Sequence, residues 1–298
     1  MTMMMARNDP QSLKLGPGER IALVAGSGML PKSVLQSLIA AGYRPLVVAI
    51  EGEAAIAEAP ASYDLLHLPP ERLGQIVPRL KGHGVTHLVL AGGVATRPPV
   101  RALRFTPGIL LHLPRLLTAY ARGDDGLLRA IIGYLEANGI RVVGAHEVVP
   151  ELLMPEGCLG KVRPTAADEK DITAGITAAR AIGRLDIGQA AVAFGGRVIA
   201  LEGIEGTDGL LERTKVLRNH GRLAGKNRGV LVKCAKPGQE ARADLPAIGP
   251  QTVRDAHDAG LSGIATEAER SFILDGAEAV ALADHHGLFL LGFNGGRQ

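Results

Sequence analysis

Apolar residues in this chain fall into short unbroken runs, separated by longer stretches in which they recur every third or fourth position. The runs at 21–25, 45–50, 86–91 and 229–232 have the length and Val/Leu/Ile content of strands buried on both faces. Shorter runs at 63–68, 141–144, 263–267, 271–274 and 288–291 predict further strands. Between them the spacing changes to that of amphipathic helices. One starts near Lys32, and others cover 73–81, 127–138, 167–182, 209–218, 250–259 and 276–286. Residues 189–194 and 197–202 alternate around Gly195-Gly196, which reads as a β-hairpin. Strands alternating with helices predict an α/β fold with parallel sheet.

The punctuation divides this pattern. Gly26-Ser27-Gly28-Met29-Leu30-Pro31 turns the first strand into a helix, the opening of a Rossmann-like unit where helix N–H groups can meet an anion. The third glycine of the dinucleotide fingerprint is missing, and only Glu51 comes near the place of a ribose-holding acid. A nucleotide-dependent oxidoreductase therefore has thin support. Gly92-Gly93 follows a later strand, so in a parallel sheet both glycine turns fall on one edge. Residues 105–120 are apolar on several sides and interrupted by Pro107 and Pro114, reading as a kinked buried helix or an apolar lid over acyl chains. Gly123-Asp124-Asp125-Gly126 reads as a cap on the helix at 127, and Thr207 or Asp208 as a cap on the helix at 209. Residues 150–164 lose periodicity and carry three prolines and two glycines. The expected organisation is a tail at 1–20, a Rossmann-like N-terminal domain at 21–150, a Pro/Gly linker at 151–164, and a distinct α/β C-terminal domain at 165–298.

Composition narrows the function. With 46% hydrophobic residues, 3% aromatic and no Trp, packing rests on Val, Leu, Ile and Ala. A net charge of +3 is too balanced for a dedicated nucleic-acid binder, and few rings are on offer for base stacking. Cys158 and Cys234 form no CxxC pair and read as reduced thiols. The first 20 residues lack the apolar core of a signal peptide, and no apolar run reaches the roughly 20 residues that span a bilayer. A cytoplasmic protein able to touch a membrane surface is expected.

The candidate chemistry centres on 233–250. There a buried strand gives way to Lys233, Lys236 and Arg242, then to Asp244 among prolines and glycines. Basic groups suit an anionic substrate, and a carboxylate suits a metal ion or an activated water. A solvated charged loop is the alternative.

Seven segments in one order carry a resemblance. They are Ala25–Pro31, Ala91–Pro98, Gly123–Arg129, Gly144–Val148, Glu205–Asp208 (Glu-Gly-Thr-Asp), Lys236–Gln239 and Asp244–Gly249 (Asp-Leu-Pro-x-Ile-Gly). The chain resembles the LpxI family, the UDP-2,3-diacylglucosamine pyrophosphatases of lipid A biosynthesis. The resemblance implies a homodimer and a Mg²⁺-dependent (or Mn²⁺-dependent) attack of water on the β-phosphorus of UDP-2,3-diacylglucosamine. The products would be UMP and 2,3-diacylglucosamine 1-phosphate, lipid X. It places the essential aspartate at Asp244. Two departures stand out: Gly-Ser-Gly where members often carry three glycines, and Gly93 where an asparagine is common.

On that basis Asp244 would hold the metal or orient the water, with Glu205 and Asp208 as further metal ligands. Lys233 and Lys236 would face the phosphates, while Gln189 and Thr207 would bond to them or to the sugar. Gly28, Leu30, Gly93, Val94, Ala95 and Asp124 complete the expected substrate-binding set. A non-catalytic lipid-sugar binding protein is the remaining alternative.

Overall fold

The computed structural model describes residues 13–54, 56, 61–94, 124–223, 226–238 and 240–296. The expected 105–120 element and Ala95 lie outside them. The chain forms two units. One comprises the described residues of Met1–Glu151 together with Glu240–Asp244, and the other those of Leu152–Gln239 and Leu245–Gln298.

The first unit is built on β1 (Ile21–Ala25), β2 (Leu46–Ile50), β3 (Asp64–Leu68), β4 (His87–Ala91) and β5 (Arg141–Val143). They form one parallel sheet of order β3-β2-β1-β4-β5. Strand order reverses between β1 and β4, the expected Rossmann-like arrangement. Because side chains alternate along a strand, Ala22 and Val24 join Leu46, Val48, Leu88 and Val142 on one face. That face is covered by α2 (Ile76–Gly82) and α3 (Asp124–Ala137), through Val77, Leu80, Ile132 and Leu135. Each such side chain contributes roughly 1.5–3 kcal/mol on burial. The helix α1 (Leu30–Ala40) packs against β1 and β4, burying Val34, Leu35 and Leu38. It begins two residues earlier than the spacing suggested, with Pro31 in its first turn, where a missing N–H costs nothing.

The second unit holds a six-stranded mixed sheet of order β6-β13-β11-β9-β7-β8. Its strands are β6 (Gly157–Leu159), β7 (Ala190–Phe194), β8 (Arg197–Leu201), β9 (Val230–Lys233), β11 (Gly263–Glu267) and β13 (Phe289–Phe293). The central β9, β11 and β13 are parallel, whereas β6 and the β7–β8 hairpin pair antiparallel at the two edges. Gly195 and Gly196 turn the hairpin with φ of 62° and 73°, the positive values a two-residue turn demands. A short parallel pair, β10 (Ala247–Ile248) and β12 (Phe272–Ile273), stands apart. One face of the large sheet meets α5 (Ala166–Arg184) through Ile172, Ile176 and Ala179. The other face meets α6 (Gly206–Leu217), α7 (Pro250–Asp258) and α8 (Gly276–His286) through Leu210, Leu211, Val253, Ala279 and Ala283.

Three expectations change. The stretch read as a linker contains β6, whose three residues, Gly157, Cys158 and Leu159, are too few for periodicity to reveal. The helix expected from 127 starts at Asp124, so the aspartate pair lies inside its first turn and not ahead of it. The helix expected from 209 starts at Gly206, with Glu205 at its N-cap and no side-chain cap, so Thr207 and Asp208 are helical residues. A further short helix, α4 (Ala145–Val148), lies where the Gly-Ala-His-Glu segment gave no periodic signal. Among the described residues, no helix is long and apolar enough to cross a membrane.

Candidate functional site

In the first unit the two glycine turns meet at the strand-order reversal. Gly26 N–H donates to Ala91 C=O at 2.9 Å, Ser27 N–H to Gly93 C=O at 2.7 Å, and Gly93 N–H to Ser27 C=O at 3.2 Å. The Ser27 hydroxyl adds a bond to the same Gly93 carbonyl at 3.1 Å. The approach is so close that a Cβ on Gly26 would lie 2.2 Å from the Gly93 oxygen, and one on Gly92 2.4 Å from the Ser27 oxygen. Gly92 also has φ of 85°. The loops after β1 and β4 are thus tied into one ledge. Gly28, Gly93 and Val94 are exposed on it, and Leu30 opens α1. The first N–H groups of α1 have no side-chain cap, which suits an anion. Asp124 is the first residue of α3.

Asp244 belongs with this same unit, although sequence places it deep in the C-terminal half. The segment Glu240–Asp244 forms a single turn in which Glu240 C=O accepts Ala243 N–H at 3.0 Å and Asp244 N–H at 3.1 Å. Asp125 Oδ1 accepts Glu240 N–H at 2.9 Å, and its other oxygen pairs with Arg129. Arg242 grips Glu240 through Nε at 2.8 Å and Nη2 at 3.0 Å, and reaches Glu136 at 2.5 Å. The bond from Arg242 holds the Glu240 carboxyl below its usual range. Ala243 packs on the apolar core of the unit. Asp244 itself is partly buried.

In the second unit the carboxylate that counts is one that reading the sequence missed. Glu202, just past β8, is 6% exposed. Its Oε2 accepts Gln189 N–H at 2.6 Å and its Oε1 accepts the Thr207 hydroxyl at 2.7 Å. It links two of the expected substrate-binding residues. Gln189 Oε1 is buried and has no hydrogen-bond partner among the described residues. Glu205 is exposed and pairs with Arg213; its backbone and that arginine lower its pKa. Asp208 is exposed on α6. Beside Glu202 an open depression of about 600 Å³ is lined by Ile187, Leu201, Gly203 and Arg213.

The expected phosphate-facing lysines are both engaged. Lys233 is 5% exposed and donates to the Ala247 carbonyl at 2.8 Å. Lys236 pairs with Asp186 at 2.6 Å. Among the described residues, no three His, Cys, Asp or Glu side chains gather as a ready metal cage. A Mg²⁺ ion does not need one, since it keeps several waters and takes one or two carboxylates plus substrate phosphates. Asp244 offers such a hard oxygen ligand.

Comparison with known proteins covers both units. The family model described as the LpxI N-terminal domain matches residues 20–152, and that described as the LpxI C-terminal domain matches residues 155–291. A protein named UDP-2,3-diacylglucosamine pyrophosphatase LpxI, from Caulobacter vibrioides, is 40% identical over 274 residues, 92% of this chain and 97% of its own. The solved structure of gox2253 aligns at 13% identity and a TM-score of 0.33, over 92% of this chain and 78% of its own, too slight a likeness to inform the fold.

Proposed function

The chain belongs to the LpxI family, and from that premise we propose that it hydrolyses the pyrophosphate bond of UDP-2,3-diacylglucosamine to UMP and 2,3-diacylglucosamine 1-phosphate. The observation that carries this reading is the named activity of a relative aligned over nearly the full length of both chains.

Water attacks the β-phosphorus, the bridging oxygen leaves with UMP, and the water oxygen stays on the glucosamine 1-phosphate. A divalent cation, Mg²⁺ or Mn²⁺, bound through Asp244 supplies positive charge against the pyrophosphate. Asp244 holds that cation or orients the water. The ledge of Gly28, Leu30, Gly93 and Val94 receives the nucleotide part, with α1 N–H groups toward phosphate oxygens. Asp124, at the start of α3, belongs to the same proposed substrate-binding set. Lys236, exchanging its contact with Asp186, neutralises phosphate charge. Lys233 acts at one remove, fixing the Ala247 carbonyl three residues beyond Asp244. Gln189 and Thr207 bind hydroxyl groups of the substrate, while Glu205 and Asp208 add negative charge attractive to cations. A diacylated substrate resides in a lipid surface, so the protein works against a membrane, as a homodimer.

Hydrolysis in ¹⁸O-labelled water tests the reading. Label in the glucosamine 1-phosphate supports attack at the β-phosphorus, and label in UMP overturns it. Loss of turnover on chelation, restored by Mg²⁺ or Mn²⁺, tests the cation. Asp244→Asn should abolish turnover with the fold intact.

A further inference from the structure

The Glu240–Asp244 turn packs Ala243 on the apolar core and is tied by polar bonds to both ends of α3. Asp125, in the first turn of α3, takes the Glu240 N–H at 2.9 Å; Glu136, near its last turn, takes Arg242 at 2.5 Å. Between these anchors Arg242 closes on Glu240 with two parallel bonds, the fork geometry in which a guanidinium loses least freedom per bond. The Glu240 carbonyl then takes Asp244 N–H. A continuous chain of bonds runs from Asp125 through Glu240 to the backbone of Asp244. The Asp125 side chain is only 16% exposed, so its bond to Glu240 is partly shielded from water. Neither Asp125 nor Arg242 nor Glu136 has a part in the chemistry set out above.

We propose that Asp125, with Arg242 and Glu136 as its counterpart at the far end, is a positioning residue that sets where the Asp244 carboxylate stands. This rests on the reading of Asp244 as the reacting carboxylate. The physical ground is that a displacement of about 1 Å in a catalytic group costs on the order of 100-fold in rate. In a five-residue turn the bonds from α3 to Glu240 and Arg242 restrain the backbone that carries Asp244. The clamp acts on the placement of a group needed in the transition state, so its loss lowers kcat and spares KM.

The test pairs kinetics with amide exchange. Asp125→Ala removes the acceptor for Glu240 N–H. Expected are a drop in kcat of roughly 10- to 100-fold with KM within about threefold, and faster exchange at Glu240, Ala243 and Asp244. Asp125→Asn keeps a carbonyl oxygen for the same N–H and gives up only the exposed pair with Arg129, so it should recover most of kcat and the slow exchange. Glu136→Ala removes the acceptor for Arg242 at the opposite end of α3 and should give a smaller change of the same kind; it also covers the case in which Asp125→Ala fails to fold. Faster exchange with unchanged kcat overturns the proposal, as does a lower kcat with unchanged exchange. Full turnover by Asp244→Asn removes the assignment of Asp244 itself, and the clamp's catalytic meaning with it. That result is distinguishable because it leaves the exchange effect of Asp125→Ala standing.

Discussion

Thr207 donates its hydroxyl proton to Glu202 Oε1 at 2.7 Å. A threonine hydroxyl has one proton and two lone pairs, so Thr207 turned this way meets a ligand only as an acceptor. It suits a sugar or nucleoside O–H, or an imide N–H, and not a phosphate oxygen. In Glu202→Gln the new amide oxygen faces Gln189 N–H and its NH₂ faces Thr207, which must then accept and turn its proton outward. Expected is a KM increase of roughly tenfold, or about 1.4 kcal/mol, with the melting temperature almost unmoved. Steady-state kinetics and a thermal melt check it. An unchanged KM would refute the acceptor role.

The glycine ledge makes a graded prediction. Gly28 has φ of 91° but open space around a built Cβ, so Gly28→Ala should cost only about 1–2 kcal/mol of backbone strain. Gly92→Ala adds the collision with the Ser27 oxygen to a similar strain and should cost more than about 3 kcal/mol by forcing the two turns apart. Urea denaturation of the two variants gives the comparison, and equal losses would count against it.

A pH-dependent contribution to stability sits in the second unit. Burial pushes the Asp168 carboxyl up, but the Thr165 and Ser262 hydroxyls, the Thr165 N–H and Arg228 outweigh it and hold the group below its usual value. A lowered folded-state pKa gives stability that is complete above the unfolded pKa of about 4 and is lost as pH falls through the lower folded value. Asp168→Asn should therefore cost about 3 kcal/mol near neutrality, and the gap from the parent should close as pH falls below about 4. A constant gap from pH 7 to pH 3 would show that charge is not its source.

Burial pushes the Cys234 thiol up to about 12, and the nearby Glu267 adds to the effect. At pH 8 only about one molecule in ten thousand carries the reactive thiolate. Iodoacetamide should leave Cys234 unmodified in the folded protein and label it once denaturant is added, as peptide mass spectrometry can follow. Labelling within minutes under native conditions would contradict this environment.

How much could be read in advance follows from burial. β1, β2, β4 and β9 are covered on both faces, so their apolar runs announce them, and the glycines of the ledge announce its turns. Asp244 and Thr207 are singled out by segments of the family pattern and not by spacing, and Gln189 lies in none of those segments. Glu202 escaped because an acid at the end of an edge strand looks solvated, and only the fold brings Gln189 and Thr207 to it. Asp125 escaped for a different reason. Its place beside Asp124 after a glycine is the pattern of a helix cap, while its partner is Glu240, 115 residues away. Local patterning cannot show that five residues of the C-terminal half belong with the N-terminal unit.

The pairing of β6 with β13 has a consequence for how the second unit comes into being. Cys158 lies opposite Leu291, so the strand synthesised first in that unit waits about 130 residues for its neighbour. The inner strands can associate as they emerge, but this edge cannot close until β13 has emerged. A nascent chain truncated before β13 would display β6 as an unmatched ribbon, open to adventitious strand partners. Protection of that edge therefore hinges on β13.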